Sequence, residues 1–218
     1  MPLGILKAAA GVVAATSILT FVGPIVGEWA ATLPPPWLKE TLNPWDALGL
    51  YYEDVAFPTS NGLTLRGWFI PAQTVDAPAI VYAPATAHDQ RSGLSLAPAF
   101  HRAGFHVLLF SYRGHARSDG LKGRFTYGDA ESKDVDAAVR FLRESKGLRQ
   151  IGIIGHSAGA VSAILSAARN PNVGAVVAVA PYACLREVWY ANRPPFVPRF
   201  ISDITLWLAE RWKGFDSD

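Results

Sequence analysis

At 218 residues, half of them hydrophobic, the chain is long enough for one substantial domain and too short for two comfortable ones. Twenty basic against eighteen acidic residues leave a net charge of +2 with no basic stripe, so nucleic acid is not an expected partner. A single cysteine, Cys184, excludes an intrachain disulfide and a Cys/His metal framework.

The chain opens with an apolar stretch. Residues 8–27, AAAGVVAATSILTFVGPIVG, carry no charge and lie between Lys7 and Glu28. As a helix this run is about 30 Å long, close to the hydrocarbon thickness of a bilayer. A secretory signal usually has a shorter apolar region, of about 7–15 residues, ending in a small-x-small site. A buried helix of a soluble domain normally keeps a polar face. Residues 1–30 are therefore expected to form a membrane anchor, with the signal peptide and the buried helix as alternatives. Lys7 leans the orientation towards an inner N-terminus and an outward-facing domain. Residues 31–50 read as a linker. Pro34, Pro35 and Pro36 favour a stiff extended spacer, and Trp37 and Trp45 suit either a membrane interface or packing on the domain.

From Tyr51 the pattern becomes that of a folded core. Residues 51–57 predict a strand closed by Pro58. Asn61-Gly62 is a hairpin turn, and LTLRGWFI (63–70) alternates like the returning strand. AIVYA (79–83) is a continuous apolar run of the buried parallel kind, and FHVLLFSY (105–112) reads as another buried strand. A helix is predicted over 94–103 and another over 129–144. The second has Val135, Ala138, Val139 and Leu142 on one face. A strand over 150–155, a helix over 158–169 and a strand over 173–180 follow. Strands alternating with helices predict a mostly parallel sheet with helices on both faces, the α/β class, over residues 51–183. Residues 184–218 read as helical cap material. There Leu206, Trp207, Leu208 and Trp212 form an apolar group, best read as cap packing, with covering a site, touching a membrane or binding an acyl chain as alternatives.

Chemistry enters at GHSAG, residues 155–159. This G-x-S-x-G pentapeptide sits between a predicted strand and a predicted helix, the setting in which such a serine is a nucleophile. The turn is tight, so side chains at Gly155 and Gly159 would collide with neighbouring backbone. Ser157 would stand at a helix N-terminus, where peptide N–H groups favour developing negative charge.

The stretch from Tyr51 onward resembles the amino-terminal part of an α/β-hydrolase of the serine aminopeptidase/esterase-like branch. FSYRGHARSDG (110–120) is similar to that branch's D-x-R-G-x-G-x-S segment, DAESKDVDAAVRFLR (129–143) to the helix after it, and GHSAG to its elbow. The resemblance implies Ser157 as catalytic nucleophile, the backbone N–H groups of Thr86 and Ala158 as the oxyanion hole, and hydrolysis of an ester, amide or thioester through an acyl-enzyme. It implies no metal and no cofactor.

Three departures stand out. Pro84 and Ala85 occupy the positions where the family carries His-Gly, and loss of that glycine restricts the loop that presents Thr86. Ala116 replaces a glycine of R-G-x-G-x-S. The largest departure concerns the base. The family's triad runs Ser, acid, His along the chain, yet all five histidines (His88, His101, His106, His115 and His156) precede Ser157. Only His88 and His115 fall on loops near the right edge of the sheet. Glu187, Asp203, Glu210, Asp216 and Asp218 follow the elbow, but none follows a recognisable seventh strand.

The expected function is therefore a membrane-anchored serine hydrolase with its acid and histidine outside these 218 residues and the last strands of the sheet lacking. It would act on a small-molecule ester, amide or lipid-like substrate. The alternatives are a catalytically inactive hydrolase-like binding domain and a fragment that obtains its histidine from another chain.

Overall fold

The computed structural model describes residues 23, 26, 32–33, 42–193, 195 and 197–217. The proposed anchor over residues 8–27 and the three prolines at 34–36 lie outside the described residues, those two positions apart. Among the described residues, no helix is long and apolar enough to cross a membrane. The chain divides into two compact units, residues 32–183 and residues 1–31 with 184–218.

The larger unit is a six-stranded sheet in the order β1-β2-β4-β3-β5-β6. Its strands are β1 (Glu53–Pro58), β2 (Thr64–Ile70), β3 (Ala79–Ala83), β4 (His106–Ser111), β5 (Ile151–His156) and β6 (Ala175–Val179). The β1–β2 and β2–β4 pairs are antiparallel. The β3–β4, β3–β5 and β5–β6 pairs are parallel. Between β1 and β2 the chain turns at Thr59–Leu63, with Gly62 at φ 83°. That left-handed angle is why Asn-Gly reads as a turn.

Alternation along the buried strands sends side chains to two cores. Leu108, Phe110 and Val81 join Val135, Ala138, Val139 and Leu142 of α3 (Asp129–Glu144) on one face. Val107, Leu109 and Tyr82 join Trp68, Leu94 and Ala97 on the other. Helices therefore cover both faces, α3 and α4 (Ala158–Arg169) on the first and α2 (Ala97–Arg102) on the second. Because β3, β4 and β5 are sandwiched, they read as mostly apolar runs, with His106, Ser111 and His156 only at their ends.

Two local differences have simple causes. The helix expected over 94–103 is broken into a 3₁₀ segment, Gln90–Ser95, and α2. Asp89 caps the first by accepting from the Arg91 N–H, and Pro98 in the first turn of α2 forces a fresh start. The linker is not extended to its end. Pro44–Leu48 forms the short helix α1, with Asn43 as N-cap accepting from the Asp46 N–H and Gly49 left-handed at its end. Asn43-Pro44 at its start and Gly49 at its end are the sequence features that delimit it.

In the smaller unit, α5 (Leu185–Ala191) and α6 (Arg199–Lys213) are tied together by polar contacts. Arg186 donates to Ser217 Oγ at 3.1 Å and lies 3.7 Å from Glu210. Tyr190 donates to the Asp203 carboxylate.

Candidate active site

Ser157 is the single residue between β5 and α4, with φ 54° and ψ −121°. Such an angle in a residue with a β-carbon is strained by about 1–3 kcal/mol and persists only where its surroundings impose it. The imposing contacts are visible. The Ser157 N–H donates to the Val179 carbonyl at 2.9 Å, fastening the elbow to the end of β6. Its own carbonyl accepts from Ala160 and Val161 at 2.9 and 3.2 Å, starting α4.

The two glycines make the turn sterically feasible. A β-carbon on Gly155 would lie 2.2 Å from the Gly159 carbonyl oxygen. One on Gly159 would lie 2.1 Å from the Ala83 carbonyl oxygen and 2.4 Å from that of Pro84. Gly159 thus brings the first turn of α4 against the end of β3, and with it the loop that carries Thr86.

That loop has its own geometry. The His88 N–H donates to the Ala85 carbonyl at 3.1 Å, closing a turn, and the left-handed residue is Ala87, at φ 60°. Ala85 is buried and has no positive φ. The freedom that a glycine would give at 85 is therefore not needed in this conformation, contrary to expectation. Asp89, fully buried, closes the loop through Arg91, whose Nε donates to it at 2.9 and 3.1 Å. No hydrogen bond within the chain engages the N–H of Thr86 or of Ala158 among the described residues.

The Ser157 hydroxyl has no hydrogen-bonded histidine or carboxylate among the described residues. Each histidine sits elsewhere. In His106, Nδ1 accepts from the Ala72 N–H at 2.9 Å and Nε2 faces the Val75 carbonyl at 3.1 Å, while the ring stacks on Phe69. His115 is buried with its two nitrogens facing the carbonyls of Arg113 and Thr32, at 3.1 and 3.2 Å. Those contacts remove one of the two loop candidates for a base. His88 is exposed, with Nδ1 facing the Thr86 carbonyl at 2.8 Å. His101 lies on α2, and His156 is exposed at the end of β5.

The RGHARSDG loop is a brace beside the site. Arg113 grips the buried Asp134 of α3 through Nε at 3.0 Å and through its backbone N–H at 3.0 Å. Burial raises the Asp134 carboxyl above its usual range, against the opposing pull of Arg113. Ser118 Oγ donates to the Ser111 carbonyl at 2.8 Å and accepts from the Arg66 N–H at 2.9 Å. Asp119 accepts from the Thr64 N–H and from Arg66 at 3.0 Å, which holds its carboxyl below the usual range. Glu131, fully buried, accepts from the N–H groups of Thr126 and Gly128 and from the Thr126 hydroxyl, anchoring the start of α3. Glu131 lies in the first turn of the helix, where helical pattern alone does not distinguish a buried acid from an exposed one.

Ala116 takes φ 45°, the left-handed region where the expected glycine would be relaxed. Ala116→Gly should therefore raise stability, by about 0.5–1 kcal/mol in urea unfolding, because relief of the left-handed strain exceeds the entropy that glycine adds to the unfolded chain.

Residues 85–215 match the family model described as serine aminopeptidase, S33. The chain belongs to that family. This serine aminopeptidase S33 family member has the α/β-hydrolase fold, and it resembles known relatives in sequence and structure. An uncharacterized protein of Mycobacterium tuberculosis is 31% identical over 144 residues, which cover 65% of this chain and 50% of that protein. A thiohydrolase of Arthrinium phaeospermum is 33% identical over 138 residues, covering 59% of this chain and 43% of that protein. An esterase of Pyrococcus furiosus superposes with a TM-score of 0.65 at 25% identity, over 82% of this chain and 70% of that one. The S33 family member thus spans about half the length of the curated relatives it matches.

Proposed function

We propose that this S33 family member is a serine hydrolase that cleaves an ester, thioester or amide through an acyl-enzyme on Ser157. The observation that carries the reading is the strained strand-to-helix turn at Ser157, with the N–H groups of Thr86 and Ala158 unengaged among the described residues. The Ser157 hydroxyl attacks the carbonyl carbon as its proton passes to a base. The resulting oxyanion accepts from the two N–H groups, and its collapse expels the alcohol, thiol or amine. Water then releases the acid from the serine ester. The thiohydrolase and esterase relatives agree with an acyl substrate.

The base and acid are proposed to come from outside these 218 residues, since no histidine follows Ser157 and those before it are not hydrogen-bonded to it. Among the described residues β6 pairs on one side only, with Val177 and Val179 exposed, so further sheet can be added beside the elbow. The anchor over residues 8–27 remains part of the proposal and would hold the catalytic unit at a membrane, facing outward.

The same histidine placement favours a second reading, a catalytically silent hydrolase-like binding domain. A fluorophosphonate probe applied to the native protein in a membrane fraction of its source separates the two. Peptide mapping is expected to find the adduct on Ser157. An unlabelled protein, or an adduct elsewhere, supports the silent reading instead.

A further inference from the structure

The helix α6 is amphipathic the wrong way round for water. Its buried residues are Ser202, Thr205, Leu206, Ala209 and Lys213, mostly small or polar. Its large apolar side chains face out, with Phe200 57% exposed, Trp207 52% and Trp212 47%. Ile204 and Leu208, half-buried, continue the stripe. Positions 200, 204, 207, 208 and 211 follow helical spacing, so they form one connected face, with Trp212 at its margin. Burying the other face gains little hydrophobic energy, and a contiguous apolar patch of this kind marks an interaction surface.

The charges on that face select the partner. Arg211 is the one charged residue within the stripe, and its guanidinium lies 5.0 Å from the centre of the Trp207 ring. Arg199 adjoins Phe200 at the start of the helix, exposed and 5.5 Å from the Tyr190 ring. The acids of the helix lie to one side and are occupied, Asp203 by Tyr190 and Glu210 by Arg186. Two tryptophans, a phenylalanine and arginines without a carboxylate among them suit the headgroup boundary of an anionic bilayer. There indole rings have one wet and one apolar side, and arginine stems lie along apolar surface with their heads at phosphate.

We infer that α6 docks in the plane of an anionic phospholipid surface through Phe200, Ile204, Trp207, Leu208 and Arg211. The inference requires neither a reactive Ser157 nor a spanning segment over residues 8–27. An apolar stripe of this composition sits about 5–10 Å into the headgroup and acyl boundary. Contact would strengthen with anionic lipid and weaken with salt.

The test places the environment-sensitive fluorophore NBD on the full chain at Phe200→Cys or, separately, Trp207→Cys. Both are made with Cys184→Ser, since Cys184 is the only other thiol. Val75→Cys, 85% exposed in the sheet unit, is the reference position. Vesicles are phosphatidylcholine with or without about a third phosphatidylglycerol. On the anionic vesicles the labels at 200 and 207 are expected to shift to the blue and lose about half their emission to headgroup-proximal nitroxide lipids, while the label at 75 does neither. Labels at 200 and 207 that stay open to iodide and untouched by nitroxide lipid overturn the inference, even where residues 8–27 carry the chain onto the vesicles. A blue shift without vesicles that grows with protein concentration also overturns it, assigning the face to a second copy of the chain.

Discussion

The purified 218-residue chain should hydrolyse an activated ester only feebly, and Ser157→Ala should change that rate by less than about threefold. In a serine triad the members act as a unit, so losing the base costs about 10⁶ in turnover. What remains, roughly 10³–10⁴ over water, comes from the oxyanion hole and binding. On the proposed reading this chain keeps the parts that leave such a residue of activity. Among the described residues nothing engages the Thr86 and Ala158 amides, and the elbow is held by the Val179 carbonyl. On the same proposed reading these 218 residues do not supply the base that makes the serine oxygen nucleophilic, and His106 and His115 are each committed to other partners. The check is the initial rate with p-nitrophenyl acetate for both proteins, after subtraction of buffer hydrolysis. Strong turnover that Ser157→Ala abolishes would mean that a base is present after all. His88 would then be the side chain to change first, because it is exposed on the loop of Thr86 with one nitrogen already facing a carbonyl.

Much of this architecture could be read from pattern alone, for physical reasons. AIVYA and FHVLLFSY are buried on both faces, so they are mostly apolar, with His106 and Ser111 as hydrogen-bonded exceptions, and the strands appear where those runs fall. The helix Asp129–Glu144 has one apolar face and was delimited to the residue. The elbow was legible because a nucleophile turn needs small residues at fixed offsets, and the distances at Gly155 and Gly159 give the steric reason. What sequence could not give was tertiary in origin. The start of the 3₁₀ segment at Gln90 depends on the carboxylate of Asp89 being buried against Arg91. Glu131 looks like any first-turn acid until Thr126 and Gly128 close around it. The apolar group in α6 was expected to pack within the cap. Only Leu206 is fully buried, while Trp207 and Trp212 face outward. Helical spacing states which residues share a face, but not whether that face is turned in or out.

Gly159→Ala should be among the most destabilising single substitutions in the sheet unit, by about 3 kcal/mol or more. The new methyl would stand 2.1 Å from one backbone oxygen and 2.4 Å from another, at Ala83 and Pro84. Neither is the end of a flexible side chain that can swing away. Either α4 must retreat from β3, opening the core at Ala158 and Ala163, or the loop after β3 must shift. Urea unfolding followed by circular dichroism measures the loss directly. Gly174→Ala is the internal reference, because a methyl there meets nothing closer than the Ile151 carbonyl oxygen at 3.5 Å. That variant should stay within about 0.5 kcal/mol of the parent. If Gly159→Ala unfolds alongside it, the close approach of α4 to the Thr86 loop does not hold in solution. The proposed oxyanion role of Thr86 would lose support with it, since that role needs the Thr86 loop held close to the elbow. A large loss confined to Gly159→Ala would instead support the close approach of α4 to the end of β3, which the glycine of the elbow permits beside the strained serine.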